Sequence, residues 1–185
     1  MLAQARERHG QTPGLDFLRI AADGLDAPSE CFDGIRADRV LIHVPDPRQT
    51  LAEMIRVTKP SGRIVISEPD MPGCWVASDH YDLTDRIMGQ IAASCAHPYF
   101  ARDLFAAFKD AGLQDISFQI RPVTAFDPAS VARILDLEGV VRGMYSKGLL
   151  TLEELDSVTS DLVSRGRDGR FVASVSVMIA GATKA

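Results

Sequence analysis

Apolar and polar residues recur along this chain in two different periods, and the periods divide it into elements. Leu51, Met54, Ile55 and Thr58 fall at i, i+3, i+4 and i+7, one face of a helix. Asp46-Pro47 gives that helix an N-cap with proline at its first position, and Lys59-Pro-Ser-Gly62 ends it. Residues 63–67 follow as a short, nearly all-apolar strand. A helix leading into such a strand predicts an α/β unit with a buried parallel sheet. Leu83, Ile87 and Ile91 predict another helix; Ala101, Leu104, Phe105, Phe108 and Ala111 predict the next, closed by Gly112. Asp127-Pro128 caps a helix carrying Val131, Ile134 and Leu135. Thr151-x-x-Glu154 is a capping box that opens a last helix, with Leu152, Leu155, Val158 and Leu162 on one face. Ile116, Phe118 and Ile120 alternate with Ser117 and Gln119, and Ala173, Val175, Val177 and Ile179 with Ser174, Ser176 and Met178. Two alternating strands late in the chain predict an antiparallel pair closing an otherwise parallel sheet.

The front end is patterned less regularly. Residues 1–9 read as a short helix stopped by Gly10. Residues 15–22, apolar and bounded by Pro13-Gly14 and Asp23-Gly24, predict a buried strand. Residues 32–35 predict a strand and 38–42 a helical turn after it. Residues 70–80 form an irregular loop rich in Pro, Gly, Trp and His. No internal repeat or low-complexity linker interrupts the chain.

The 185 residues suit one domain spanning 1–185. A net charge of −5 disfavours generic binding to nucleic acid or to anionic membranes. No run of about 18 apolar residues is present to span a membrane, and the mixed-charge start lacks the apolar centre of a signal peptide. Cys31, Cys74 and Cys95 are an odd count with no close pair. That argues against a disulfide framework and against a metal site, and fits a reducing cytoplasm.

The run Phe32-Asp-Gly-Ile-Arg-Ala-Asp-Arg-Val-Leu-Ile-His-Val-Pro-Asp-Pro47, with Leu51-Ala-Glu-Met-Ile-Arg-Val-Thr-Lys-Pro-Ser-Gly-Arg-Ile-Val-Ile-Ser-Glu-Pro-Asp70, closely resembles class I S-adenosylmethionine-dependent methyltransferases. It is most like the ubiquinone/menaquinone-biosynthesis type and the small-molecule enzymes of natural-product pathways. The resemblance implies an incomplete Rossmann-like sheet, mostly parallel with an antiparallel C-terminal strand pair and helices on both faces. It makes residues 71–112 and 122–170 the substrate-covering helices and loops. The family's glycine-rich turn has no counterpart here: Gly10/Gly14 and Gly24/Gly34 have the wrong spacing. The acidic residue that ends the family's second strand is missing too. With those strands absent, the strand at 32–35 becomes an apolar edge, an association site for a second copy or a partner chain. Residues 15–22 could also re-pair directly against it.

Candidate site residues follow. By resemblance, Asp23, with Gly24 beside it, matches the position that contacts the adenine amino group; a turn aspartate is the competing reading. Arg36 and Arg39 match the segment lining the cofactor's methionine end, against surface arginines paired with Asp33 or Asp38. His43 matches a histidine at the substrate side, where a neutral imidazole accepts a proton as the methyl group moves; a cap on the Asp46-Pro47 turn is the alternative. Trp75, His80 and Tyr99 suit an apolar, hydrogen-bonding small-molecule pocket, against ordinary packing under a loop. Glu68 ends a strand where an α/β sheet places its crevice, so it could orient a substrate.

The leading expectation is therefore a cytoplasmic methyltransferase-fold protein acting on a small molecule of secondary metabolism, with S-adenosylmethionine as cofactor if its site is completed. The alternatives are a cofactor-independent enzyme on the same fold, such as a cyclase or other tailoring activity, or a non-catalytic partner subunit of a methyltransferase.

Overall fold

The computed structural model describes residues 2–185; Met1, at the start of the first expected helix, lies outside the described residues. The elements run α1 (Leu2–His9), β1 (Phe32–Asp38), α2 (Pro47–Val57), β2 (Thr58–Pro69), a single 3-10 turn (Met71–Gly73) and β3 (Trp75–Val76). Then come α3 (Tyr81–Ala93), α4 (Phe100–Asp110), β4 (Gln114–Ala125), α5 (Pro128–Ile134), α6 (Leu137–Ser146), α7 (Leu152–Arg167) and β5 (Ala173–Thr183).

The caps form as their chemistry dictates. Asp46 accepts from the amides of Arg48 and Gln49 at the head of α2. Asp127 accepts from Ser130 at α5. Thr151 and Glu154 close the capping box of α7 reciprocally. Beyond α4, Gly112 takes φ +71°, the left-handed conformation that costs glycine least.

The sheet runs β1-β2-β5-β3, with β4 on the other side of β5. β1 pairs parallel to β2, from Gly34 opposite Arg63 to Asp38 opposite Ser67. β5 lies antiparallel to β2, β3 and β4. This is a parallel start closed by an antiparallel pair, as the alternating patterns predict. On one face Ile64, Ile66, Ala180 and Ala182 are fully buried; on the other Val65, Ser67, Val177 and Ile179 are only half-buried. Leu51 and Met54 of α2, with Leu104 and Phe108 of α4, join the buried set in one contiguous core. Arg48 of α2 reaches Asp110 of α4 at 3.3 Å on the surface of that layer. Helices α3, α5, α6 and α7 gather at the end of the sheet where β1, β2 and β4 finish and β5 begins.

Three front-end and mid-chain expectations are corrected. Residues 15–22 are not a strand; they run as coil with Leu15, Leu18 and Ile20 exposed. No strand stands beside them, and an apolar run becomes a strand only where a ladder accepts its amides. They do not re-pair with β1, whose outer edge carries no neighbouring strand among the described residues. Residues 32–38 are continuous strand, so the turn begins later, at Leu41–His43, because Gly34 to Asp38 find partners on β2. Helix α6 was not anticipated. Its two glycines and a left-handed Asp136 at its head (φ 49°) hide its signal, and it forms by packing on α3 and α5.

Candidate functional site

The carboxyl ends of β1 and β2 meet around one buried acid. Glu68 is fully buried at the end of β2. Its Oε1 accepts from the amides of Val40 (2.9 Å) and Leu41 (2.7 Å), the first residues after β1. Arg39 turns the chain there at φ 56°, unusual for a residue with a Cβ, and donates its amide to Ser67 at 2.8 Å. Oε2 of Glu68 is buried with no partner among the described residues. Burial pushes this carboxyl above its ordinary range, against the pull of the Leu41 and Val40 amides.

That anchored turn carries His43. Its ring is exposed and has no hydrogen-bond partner among the described residues; its amide donates to Val40 at 3.0 Å. The adjoining backbone is held from α4's side: His97 donates its amide to the Ile42 carbonyl (2.9 Å), and its Nε2 lies 3.0 Å from the Pro45 carbonyl. Asp46, not His43, caps α2.

Next along the same end, Asp70 takes a bidentate grip from Arg102 of α4 at 2.8 and 3.0 Å. The guanidinium lies 5.3 Å from the ring centre of Tyr99. Trp75 and Tyr99 line a cavity of about 500 Å³ between β3 and α3, together with Cys74, Asp85 and Met88. The structure thus brings together Trp75 and Tyr99. His80 stands apart at the head of α3, where its carbonyl receives the Thr84 amide and its ring lines neither this cavity nor its neighbour. Glu68 spends one oxygen on backbone. Arg102 and Asp85 escaped sequence reading, since a pairing across 32 residues leaves no periodic trace; Asp70 at the strand end was the available signal.

The remaining candidates lie toward the front. Asp23 and Gly24 are exposed on coil. The segment after them is strapped to α2: Glu53 accepts the Leu25 amide, and Arg56 donates to the carbonyls of Leu25 and Ala27. Arg36 pairs with Asp38 at 2.9 Å and Arg39 with the same carboxylate at 3.8 Å, all well exposed. Among the described residues no group of His, Cys, Asp or Glu gathers as a metal site, and no helix is long and apolar enough to cross a membrane.

A parallel β1–β2 pair closed by an antiparallel β5–β4 unit leaves its crevice at the carboxyl ends of β1 and β2. Residues 1–66 match the Methyltransferase domain family. The chain is similar to the ubiquinone/menaquinone biosynthesis C-methyltransferase UbiE of Hahella chejuensis, 30% identical over 95 residues, covering 49% of this chain and 38% of that protein. A proposed methyltransferase from Bacillus halodurans shares its fold, with a TM-score of 0.63 at 15% identity over 99% of this chain and 78% of that one. So does phosphoethanolamine N-methyltransferase 2 of Haemonchus contortus, solved with S-adenosyl-L-methionine, with a TM-score of 0.52 at 15% identity, over 100% of this chain and 41% of that one. The chain spans well under two thirds of the curated relatives it matches. The sequence match covers the front third of the chain, and the structural likeness extends the methyltransferase fold over all of it.

The match to the Methyltransferase domain family implies S-adenosylmethionine as the cofactor. Among the described residues its site is not enclosed. The edge of β1 is bare, and Asp23, Gly24, Arg36 and Arg39 face solvent rather than enclosing a cradle.

Proposed function

We propose that the protein serves methyl transfer from S-adenosylmethionine to an oxygen, nitrogen or activated carbon of a small molecule, in a biosynthetic pathway of secondary metabolism. The observation that carries this reading is the buried Glu68 carboxyl, which ties the turn bearing His43 to the crevice end of the sheet. When bound, the cofactor supplies an electrophilic methyl group. By the family resemblance Asp23, Gly24, Arg36 and Arg39 would lie nearest it, and here they face solvent. Trp75 and Tyr99 bound the acceptor's pocket, while Glu68 acts through the His43 turn that it anchors. His43 is placed to take the acceptor's proton onto a ring nitrogen, while the methyl group is given up by cleavage of the sulfonium's carbon–sulfur bond, leaving the thioether. Positioning supplies most of the rate.

Calorimetry with S-adenosylmethionine on the protein tests this first: no heat at millimolar cofactor sinks the reading for this chain. Given binding, His43→Ala is expected to leave cofactor affinity unchanged and to lower methyl transfer by about a hundredfold. An unchanged rate removes His43 from the mechanism.

The bare edge of β1 favours a second reading, in which a second copy or a partner chain adds a strand there and completes the open flank. Light scattering after size exclusion decides it; a monomer at every concentration argues against it.

A further inference from the structure

Beyond the Trp75–Tyr99 pocket lies a second, larger cavity of about 710 Å³, roofed by α5, α6 and α7 and floored by α3 and β3. Its inner surface is built from Ile87, Val131, Val141, Leu155, Val158 and Phe171. Its volume falls in the range of sites for drug-sized molecules.

The hydroxyls of Tyr145 and Thr159 in its lining have no hydrogen-bond partner among the described residues, and both are neutral; the other polar side chains around it are spent within the chain. Thr84 donates its hydroxyl to the His80 and Tyr81 carbonyls. At the rim Arg142 pairs with Glu138 at 2.6 Å, one turn apart on α6. Arg86 nearby is held by Glu154 and by the Leu149 carbonyl. No free charge faces inward from these positions, so an ionic ligand would lose its hydration without replacement. Meanwhile Tyr145, Leu152 and Val163 at the mouth are 47%, 57% and 59% exposed, apolar surface that an occupant would cover.

The two cavities share a wall. Met88 lines both, and neighbouring residues of β3 divide between them, Val76 into this one and Trp75 into the other. Methionine is the side chain most able to shift for a ligand reaching across.

We propose that this cavity binds an uncharged, hydrocarbon-rich small molecule, and that the apolar body of the methyl acceptor occupies it while the reacting end lies in the Trp75–Tyr99 pocket. The assignment of the occupant as acceptor rests on the proposed methyl transfer; its binding does not. Four helix walls and an apolar floor favour a small molecule over a protein segment.

The neutral fluorophore N-phenyl-1-naphthylamine tests the site without cofactor. The wild-type protein is expected to enhance its fluorescence, and 1-dodecanol to displace it. Ala132→Trp and Thr159→Trp enter the cavity from opposite exposed walls, on α5 and α7, where added bulk leaves the core intact. Each is expected to weaken probe binding by about tenfold with unchanged thermal unfolding. Should one variant fail to fold, the other carries the test alone. No enhancement in the wild type, or equal binding by a folded variant, overturns the proposal. So does a dimer that Ala132→Trp dissociates, which would assign the cavity to a protein contact. Probe binding without cofactor heat would leave this site standing and remove methyl transfer; the reverse would do the opposite.

Discussion

Residues 2–36 contain no buried side chain, whereas the rest of the chain builds a continuous core from α2, β2, α3, α4, α7 and β5. Yet the front is where the sequence match to the methyltransferase domain lies, within residues 1–66. Leu15 (43% exposed), Leu18 and Phe32 carry the apolar pattern of buried strands and stand in water. The contrast teaches that a hydrophobic pattern states what a segment needs, and the neighbours decide whether it is met. The back of the chain contains its own neighbours: β5 lies between β2 and β4, and α4 covers them. The front meets no such neighbour among the described residues.

The largest expected difference between the regions is in side-chain deletion. Leu104 is fully buried on α4, so Leu104→Ala should cost about 3 kcal/mol, from lost transfer energy and the cavity left behind. Leu18 is 70% exposed, and Leu18→Ala should stay within about 0.5 kcal/mol. Urea unfolding of both variants measures the gap. Comparable losses would mean that residues 15–22 are packed in solution, through a second copy or otherwise, and the contrast would fall.

Glu68 sharpens the comparison at the seam between the regions. Glu68→Ala strands the buried amides of Val40 and Leu41 and should cost about 2–3 kcal/mol. The pH dependence has a defined sign. Burial holds the folded carboxyl above its ordinary value, so its contribution is complete at acidic pH and declines as pH rises through the raised value. Glu68→Gln keeps an acceptor without a titrating proton, so its unfolding midpoint should change less between acidic and alkaline buffer than the wild type's. An identical pH profile would show that Glu68 is solvated in solution.

The smallest effect concerns the strap. Arg56 holds the carbonyls of Leu25 and Ala27 against α2. Arg56→Ala should speed proteolytic cleavage within residues 11–31 severalfold and leave global unfolding nearly unchanged. Equal cleavage rates would show that the front is held by something other than this arginine.

The legible parts of the fold were those with local grammar. Asp46-Pro47, Asp127-Pro128 and Thr151-x-x-Glu154 announce their helices because a cap satisfies amides within three residues. The alternation at 173–179 announces β5 because its side chains face two unlike surfaces. Helix α6 was illegible, since Gly139 and Gly143 weaken its propensity and packing on α3 supplies its stability. Of the site, Trp75 and Tyr99 were readable as an aromatic cluster and do share a pocket. His80 reads as part of that cluster and lies elsewhere, because the turn at Ser78–His80 is drawn toward Asp161 of α7.

The sequence by itself determined the class of fold, the starts of the capped helices α2, α5 and α7 and the antiparallel closure, since each follows from periods and caps only a few residues long. Tertiary structure alone decided that residues 15–22 are coil, that Glu68 is the buried anchor of the His43 turn, and that α3, α5, α6 and α7 enclose an apolar cavity. Those outcomes depend on which surfaces meet across tens of residues, and no local pattern encodes whether a partner surface is there.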